Sequence, residues 1–207
     1  MYIPGLFKIT DSETIREFIN DNGFGILINS VKGKIWATHV PMLLAKDKDQ
    51  KDILAGHLSK ANFQWKEFKK SQEVLVVFPG NHSYISSSWY DHENVPTWNY
   101  QAVHVYGTIH IIEGYELKEE LTKMVNKYES DMPNPVSVER MTGSFVQREM
   151  KGIVGFKISI SEIQAAQKLS QNRDDKNYLR IIEGLEKKGD PDSLEMARIM
   201  KEKKQIK

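Results

Sequence analysis

The stretch "TWNYQAVHVYGTIHIIEG", Thr97 to Gly114, decides how this 207-residue chain folds. Side chains alternate across a strand. Over residues 97–113, one face carries Val103, Val105, Gly107, Ile109 and Ile111, which belong in a barrel core. The other carries Trp98, Tyr100, Ala102, His104, Tyr106, Thr108, His110 and Ile112, aromatic and polar at once. Such a face is too apolar for bulk water and too polar for a dry core. It suits a subunit interface or the wall of a pocket for a flat polar ligand; the plainer reading is a barrel exterior covered by helices. The same chemistry begins upstream. Asn81 to Gly107 gathers three of the six histidines, two of the four tryptophans and four of the eight tyrosines.

Outward from this strand, the chain reads as an antiparallel meander with helices between and after the strands. "TDSETIREFINDNG" has Ile15, Phe18 and Ile19 at helical spacing, with Asp11 or Ser12 as cap. "FGILINS", the turn "VKGK" and "KIWATHVPMLLA" form a hairpin in which Pro41 marks an edge, a bulge or the end of pairing. "DILAGHLSK" is a third strand, "ANFQWKEFKKS" a short helix and "EVLVVFPG" a buried strand that gives way to a Pro/Gly/Ser-rich loop. "ELKEELTKMVNKYES" predicts an amphipathic helix with Leu117, Leu121, Met124, Val125 and Tyr128 on one side. "SVERMTGSFVQREM" predicts a helix interrupted near Gly143, "GIVGFKISISEIQAAQ" a last strand, and two basic helices separated by "GDP" close the chain. This order is not the βαβα rhythm of a parallel sheet. It predicts an α+β, mainly antiparallel fold: a closed or split β-barrel with peripheral helices.

Composition removes several chemistries. With no cysteine there are no disulfides, zinc-thiolate sites or thiol nucleophiles. Lys+Arg of 29 against Asp+Glu of 28 is not the balance of a strongly basic nucleic-acid binder. No basic and apolar leader opens the chain and no apolar run approaches membrane-spanning length, so the expectation is a soluble cytoplasmic protein without membrane contact. No GxGxxG, GxxxxGK[ST] or GxSxG is present. His104 and His110 share a strand face but lie about 20 Å apart along an ideal strand, so no metal site is expected of them.

Three polar clusters remain. Thr38 and His39 precede Pro41. His57, Ser59, Lys60 and Asn62 sit where the third strand turns into a helix, and a hydroxyl, an ammonium and an amide at a helix start make a seat for a phosphate. Ordinary capping by Ser59 or Asn62 is the plainer reading. "KLSQNR" collects Lys168, Ser170, Gln171, Asn172 and Arg173; Asn172 or Asp174 would cap the next helix, leaving the rest for a ligand or a neighbouring subunit.

These segments, "MYIPGLFKITD", "ATHVPMLL", "GHLSKANFQW", "HSYISSSWY", "VPTWNYQAVHVYG", "IVGFKISI" and "KLSQNR", resemble the PaiB-type FMN-binding split-barrel proteins, from Met1 to about Leu185. That family is described as negative transcriptional regulators of sporulation and degradative-enzyme synthesis in bacilli. The resemblance implies a homodimeric split barrel of the pyridoxamine-phosphate-oxidase type with FMN near the dimer interface. It implies a phosphate seat at Ser59 and Lys60 with His57 and Asn62 as neighbours, and Thr38 and His39 beside the cofactor. The arginine-rich clamp of the oxidase relatives is absent. Tyr84, Trp98, Asn99 and Tyr100 are suitable wall material for an isoalloxazine ring, with Lys168, Ser170, Asn172 and Arg173 as further candidates. Residues 1–173 would be the flavin domain and 174–207 a helical appendage.

Two readings of function follow. One is an FMN-binding regulator that lowers expression of its target genes; no helix-turn-helix with a basic face is visible, so a DNA or protein partner is not evident. The other is an FMN-dependent oxidoreductase, with His39, His57, His82 and His104 as candidate proton donors and no catalytic pair distinguished. Haem binding through a histidine is a more distant third.

Overall fold

Strand alternation and helix caps place the elements of the computed structural model, which describes residues 1–70 and 72–205. Ser71, the end of the predicted "ANFQWKEFKKS" helix, and Ile206 and Lys207 of the basic tail lie outside the described residues. The strands are β1 (Lys8–Ile9), β2 (Phe24–Val31), β3 (Lys34–Lys46), β4 (Asp52–Ser59), β5 (Glu73–Ile85), β6 (Thr97–Ile112) and β7 (Ile153–Lys168). The helices are α1 (Ser12–Asp21), α2 (Gly114–Glu129), α3 (Gly143–Met150), α4 (Asp175–Lys188) and α5 (Pro191–Lys204). Short 3-10 segments include Phe63–Lys70 and Ser87–Trp89.

The seven-stranded sheet runs β1-β7-β4-β3-β2-β5-β6, and β6 also pairs with β7. The ring from β7 round to β6 is therefore closed, and β1 adds to β7 through Lys8↔Ala166 and Ile9↔Ala165. The β2–β3, β2–β5, β3–β4 and β4–β7 pairs are antiparallel. This is the split-barrel fold expected from the sequence. Lys32 and Gly33 both take positive φ (50° and 78°), the geometry that closes a tight hairpin with the right twist between β2 and β3. Pro41 pairs with Phe24, but the ladder with β4 begins only at Met42↔Gly56. Its missing N–H thus falls where β3 is an edge on that side.

The chain divides into two compact units. One comprises Arg16–Phe78 and His104–Ile163. Its core holds Leu27, Met42, Leu54, Val76, Phe78, Ile109, Phe156 and Ile158, all fully buried, with Phe68 edge-on to Phe156 at 5.8 Å. A Cβ on Gly107 would stand 2.3 Å from the Ser159 carbonyl oxygen, so only glycine admits that backbone of β7. Buried Gln64 donates through Nε2 to Leu27 O (3.0 Å) and Asn29 Oδ1 (2.9 Å), fastening the 3-10 segment to β2.

The other unit comprises Met1–Ile15, Pro79–Val103 and Gln164–Lys207. Here α4 and α5 bury Tyr178, Ile181, Ile182, Leu185, Met196 and Met200 against Ile85, Tyr90 and Leu169. Asp174 caps α4 by accepting from Asn177 N, and Asp190 caps α5 by accepting from Ser193 N. The Tyr178 hydroxyl donates to Met200 O at 2.8 Å, and burial pushes its pKa up to about 12.

Four sequence readings are corrected. The loop expected after Gly80 is strand: β5 continues to Ile85, with Ser83 and Ile85 buried in alternation. Pro79 lies beyond the residues, Leu75–Val77, that pair with β2, so it interrupts no bond of that ladder. The core face of β6 changes phase at its end, where Ile112 is buried in place of Ile111. On α2 the buried line is Leu117, Glu120 and Met124, while Tyr128 is exposed. Glu120 tolerates this because Lys123 and Lys157 meet it at 2.9 and 3.1 Å. The interrupted helix is a 3-10 turn at Val138–Arg140 followed by α3, which begins at Gly143.

Candidate functional site

The nominated residues fall into two groups, one in each unit. In the first, β3 carries Thr38 and His39, β4 carries His57 and Ser59, and the turn after β4 carries Lys60 and Asn62. This turn is held on every side. Asn62 N donates to Ser59 O (2.9 Å), Lys60 N to Gly152 O (2.9 Å), and Trp65 Nε1 to Lys60 O (2.9 Å). Asn62 reaches back with Nδ2 to Thr38 Oγ1 (2.9 Å) and accepts from Gln64 N (3.0 Å) through Oδ1. Ser59 Oγ accepts from Ala61 N at 3.3 Å, a loose bond that leaves its hydroxyl proton to donate. Lys60 is exposed, and its ammonium meets no carboxylate among the described residues.

The structure thus brings Thr38, Ser59, Lys60 and Asn62 together around one rigid turn. Asn62 fixes that turn, and Lys60 and Ser59 are left facing outward with donors to spare. His57 is half-buried, its Nδ1 has no partner, and burial lowers its pKa. His104 shows the same pattern: an unpartnered Nδ1 and a pKa lowered chiefly by burial. Both imidazoles are held neutral, each with a nitrogen free to accept a proton or donate one. His39 is exposed and stacks on Phe24 at 5.9 Å.

The second group is built on β5, β6 and the end of β7. Exposed Trp98 is flanked by Tyr84 at 5.8 Å, edge to face, and by His82 at 6.0 Å. His82 belongs to this aromatic surface by strand alternation with Tyr84. The sequence hid it because Pro79 and Gly80 read as the end of the strand. Tyr100 is half-buried on the same strand as Trp98, and Asn172 is exposed beyond β7. Asn99 points the other way and is fully buried: Ser170 Oγ donates to its Oδ1 at 3.0 Å, and its Nδ2 contacts Met200 Sδ at 3.4 Å. Lys168 Nζ donates to Thr97 Oγ1, and burial, then Arg173, lowers its pKa. The Arg173 guanidinium lies over the Tyr90 ring at 5.0 Å. In this group the exposed ring surface is available to a partner, whereas Asn99 and Ser170 satisfy each other in the interior.

A fold with a closed antiparallel ring, one rigid turn carrying a free ammonium, and an exposed aromatic face has matches among known proteins. Residues 1–162 match the family model described as "Putative FMN-binding domain". This chain belongs to that FMN-binding family. The domain assigns FMN as the cofactor here. The chain is 48% identical over 203 residues to "Protease synthase and sporulation protein PAI 2" of Bacillus subtilis (strain 168), covering 98% of both chains. It is 27% identical to an uncharacterised protein of Aspergillus fumigatus, covering 100% of this chain and 99% of the other. Among solved structures, a FAD and heme binding protein from Mycobacterium smegmatis superposes with a TM-score of 0.64 at 11% identity, over 83% of this chain and 78% of the other. The flavocytochrome Anf3 from Azotobacter vinelandii gives 0.59 at 16% identity, over 84% and 75%. At those identities the likeness is one of fold. No helix among the described residues is long and apolar enough to cross a membrane.

Proposed function

We propose that this chain is an FMN-binding, homodimeric negative regulator of sporulation and degradative-enzyme genes. The observation that supports it is the 48% identity to PAI 2, which runs through nearly the whole of both chains and is not confined to the flavin domain. Residues 1–173 form the flavin-binding part in this reading, with 174–207 appended. Lys60 and Ser59 take the FMN phosphate: an unpartnered ammonium beside a donating hydroxyl on a fixed turn loses little freedom when an anion arrives. Thr38, His39, His57 and Asn62 surround that seat. FMN supplies electron-accepting chemistry when bound, while the chain supplies position and electrostatics. The exposed Tyr84–Trp98 surface, with Tyr100, is assigned to the subunit seam, where aromatic area and a polar rim are common.

The test is complementation. In a Bacillus strain lacking its own PAI 2, expression of this chain restores the parental level of extracellular protease and sporulation; a strain that stays unchanged overturns the regulator reading. Light scattering of the purified protein gives a dimer mass, and a monomer overturns the seam. Lys60→Ala combined with Ser59→Ala weakens FMN binding about 10-fold or more, as expected for losing charge-assisted phosphate contacts, with the dimer intact. Unchanged affinity by fluorescence titration moves the seat to Lys168 and Arg173.

One observation favours a second reading, an FMN-dependent oxidoreductase. The His57 imidazole is kept neutral and has a buried nitrogen without a partner, the condition of a group that exchanges a proton. Consumption of NAD(P)H by the FMN-loaded protein supports it, and its absence leaves the regulator alone.

A further inference from the structure

We infer that the unit formed by Arg16–Phe78 and His104–Ile163 carries a second ligand site, for a small amphiphilic monoanion such as a medium-chain carboxylate. The site is a cavity of about 480 Å³ between the ends of β4 and β6, the start of β7, and helices α2 and α3. That volume is in the range of small-molecule pockets, about 300–1,000 Å³. Its floor is apolar: Ile112, Leu117 and Val154 are buried there, and Met150 and Ile153 are partly covered. Its rim is charged. Lys60 and Lys151 bring two ammonium groups and Glu113 one carboxylate, all exposed and none in a side-chain hydrogen bond or ion pair among the described residues.

The balance of this rim selects the ligand. While no phosphate occupies Lys60, two cations and one anion leave a single positive charge, which one carboxylate neutralises; a dianion would face Glu113, and a cation would face both lysines. The floor selects a body of several carbons, since a hydrophilic anion would leave the partly covered Met150 and Ile153 in water. The indole of Trp65 lines the same cavity and is pinned by its bond to Lys60 O, so it reports occupancy. The site shares Lys60 with the proposed flavin seat, and so rests on that reading, but it depends in addition on Lys151 and the apolar floor.

The experiment titrates sodium octanoate, below its micelle concentration, into the full chain freed of FMN, by calorimetry and by tryptophan emission. Saturable binding of one octanoate per chain is expected, with an emission change that Trp65→Phe removes. Lys151→Glu weakens octanoate binding 10-fold or more. Gln147→Trp, an exposed position on the cavity wall that tolerates change, fills the space and abolishes binding. Both variants keep wild-type FMN affinity, and Ser59→Ala weakens FMN without touching octanoate. Absence of saturable binding overturns the site, as does octylamine binding as tightly as octanoate, or octanoate affinity unchanged in both variants. If Lys151→Glu costs FMN as well as octanoate, the cavity belongs to the flavin site and the separate site is lost while the flavin reading stands.

Discussion

A Cβ on Gly184 would stand 2.4 Å from Trp89 Cδ2, closer than two carbons can approach. Helix α4 therefore lies flat on the indole because residue 184 has no side chain. Gly184→Ala gains helix propensity but must push the ring aside, with an expected net loss of about 1–3 kcal/mol, read as a lower urea midpoint. Trp89→Leu in the same chain should recover part of it. His57 gives a pH dependence with a definite sign. Burial lowers its folded pKa, while in the unfolded chain it titrates near its ordinary value. Above the unfolded pKa both states are neutral and nothing is lost; as pH falls below it, the unfolded chain takes the proton first and stability declines. Urea midpoints should drop from pH 7.5 to 5.5, and His57→Gln should flatten that slope. His104 shifts in the same direction, so the double variant should be flatter still. At this scale the sequence nominated Lys60 and Ser59 from their place where the third strand ends and from the family resemblance. It could not separate Asn62 and Asn99, whose amides are spent on neighbours, from groups left free, because hydrogen-bond partners are fixed by tertiary contact.

Among elements, the 3-10 segment Phe63–Lys70 is held by a polar contact inside an apolar core. Gln64 is fully buried and bridges Leu27 O and Asn29, which in turn donates to Gln72 Oε1 at 2.7 Å. Gln64→Leu strands Asn29 Oδ1 and the Leu27 carbonyl and should cost about 1–3 kcal/mol. Amide exchange should show the loss in residues 63–68 and the facing part of β2 before it shows elsewhere. Uniform exchange across the sheet would mean that the segment is held by Phe68 and its apolar neighbours alone. The order of strands and helices was legible because alternation and amphipathic spacing are local. Local signals failed at Pro79, which reads as a break but lies past the β2 ladder within a strand that continues to Ile85. They failed again at Ile111 and Ile112, where burial follows the packing of Leu117 and Gly155 and not the strand period. On α2, Glu120 sits in a buried stripe that no hydropathy pattern would give to an acid; Lys157, which pairs with it, comes from a strand 37 positions later.

For the molecule as a whole, the question is whether 174–207 can be removed. Helices α4 and α5 cover Ile85, Tyr90 and Leu169 with six large buried side chains of their own. Each such side chain is worth about 1.5–3 kcal/mol when buried, and total stability is about 5–15 kcal/mol. A chain ending at Arg173 should therefore lose cooperative unfolding and bind a hydrophobic dye. It also uncovers Asn99, whose amide contacts Met200. A soluble, cooperative truncation that keeps FMN would instead mark 1–173 as a domain in its own right. The family match stops at residue 162, yet the identity to PAI 2 continues through 98% of the chain, which fits a tail under the same packing constraints as the rest.

The first half of β3 has a consequence for behaviour in crowded solution. Between Lys34 and Pro41 its backbone is laddered, among the described residues, to β2 on one side only, with Ile35 and Trp36 exposed along it. A bare edge with apolar side chains is a template on which extended segments of other chains can dock and polymerise. Here Lys32 and Lys34 repel such recruits at the hairpin tip, and Pro41, lacking a donor, stops any added strand from propagating toward β4.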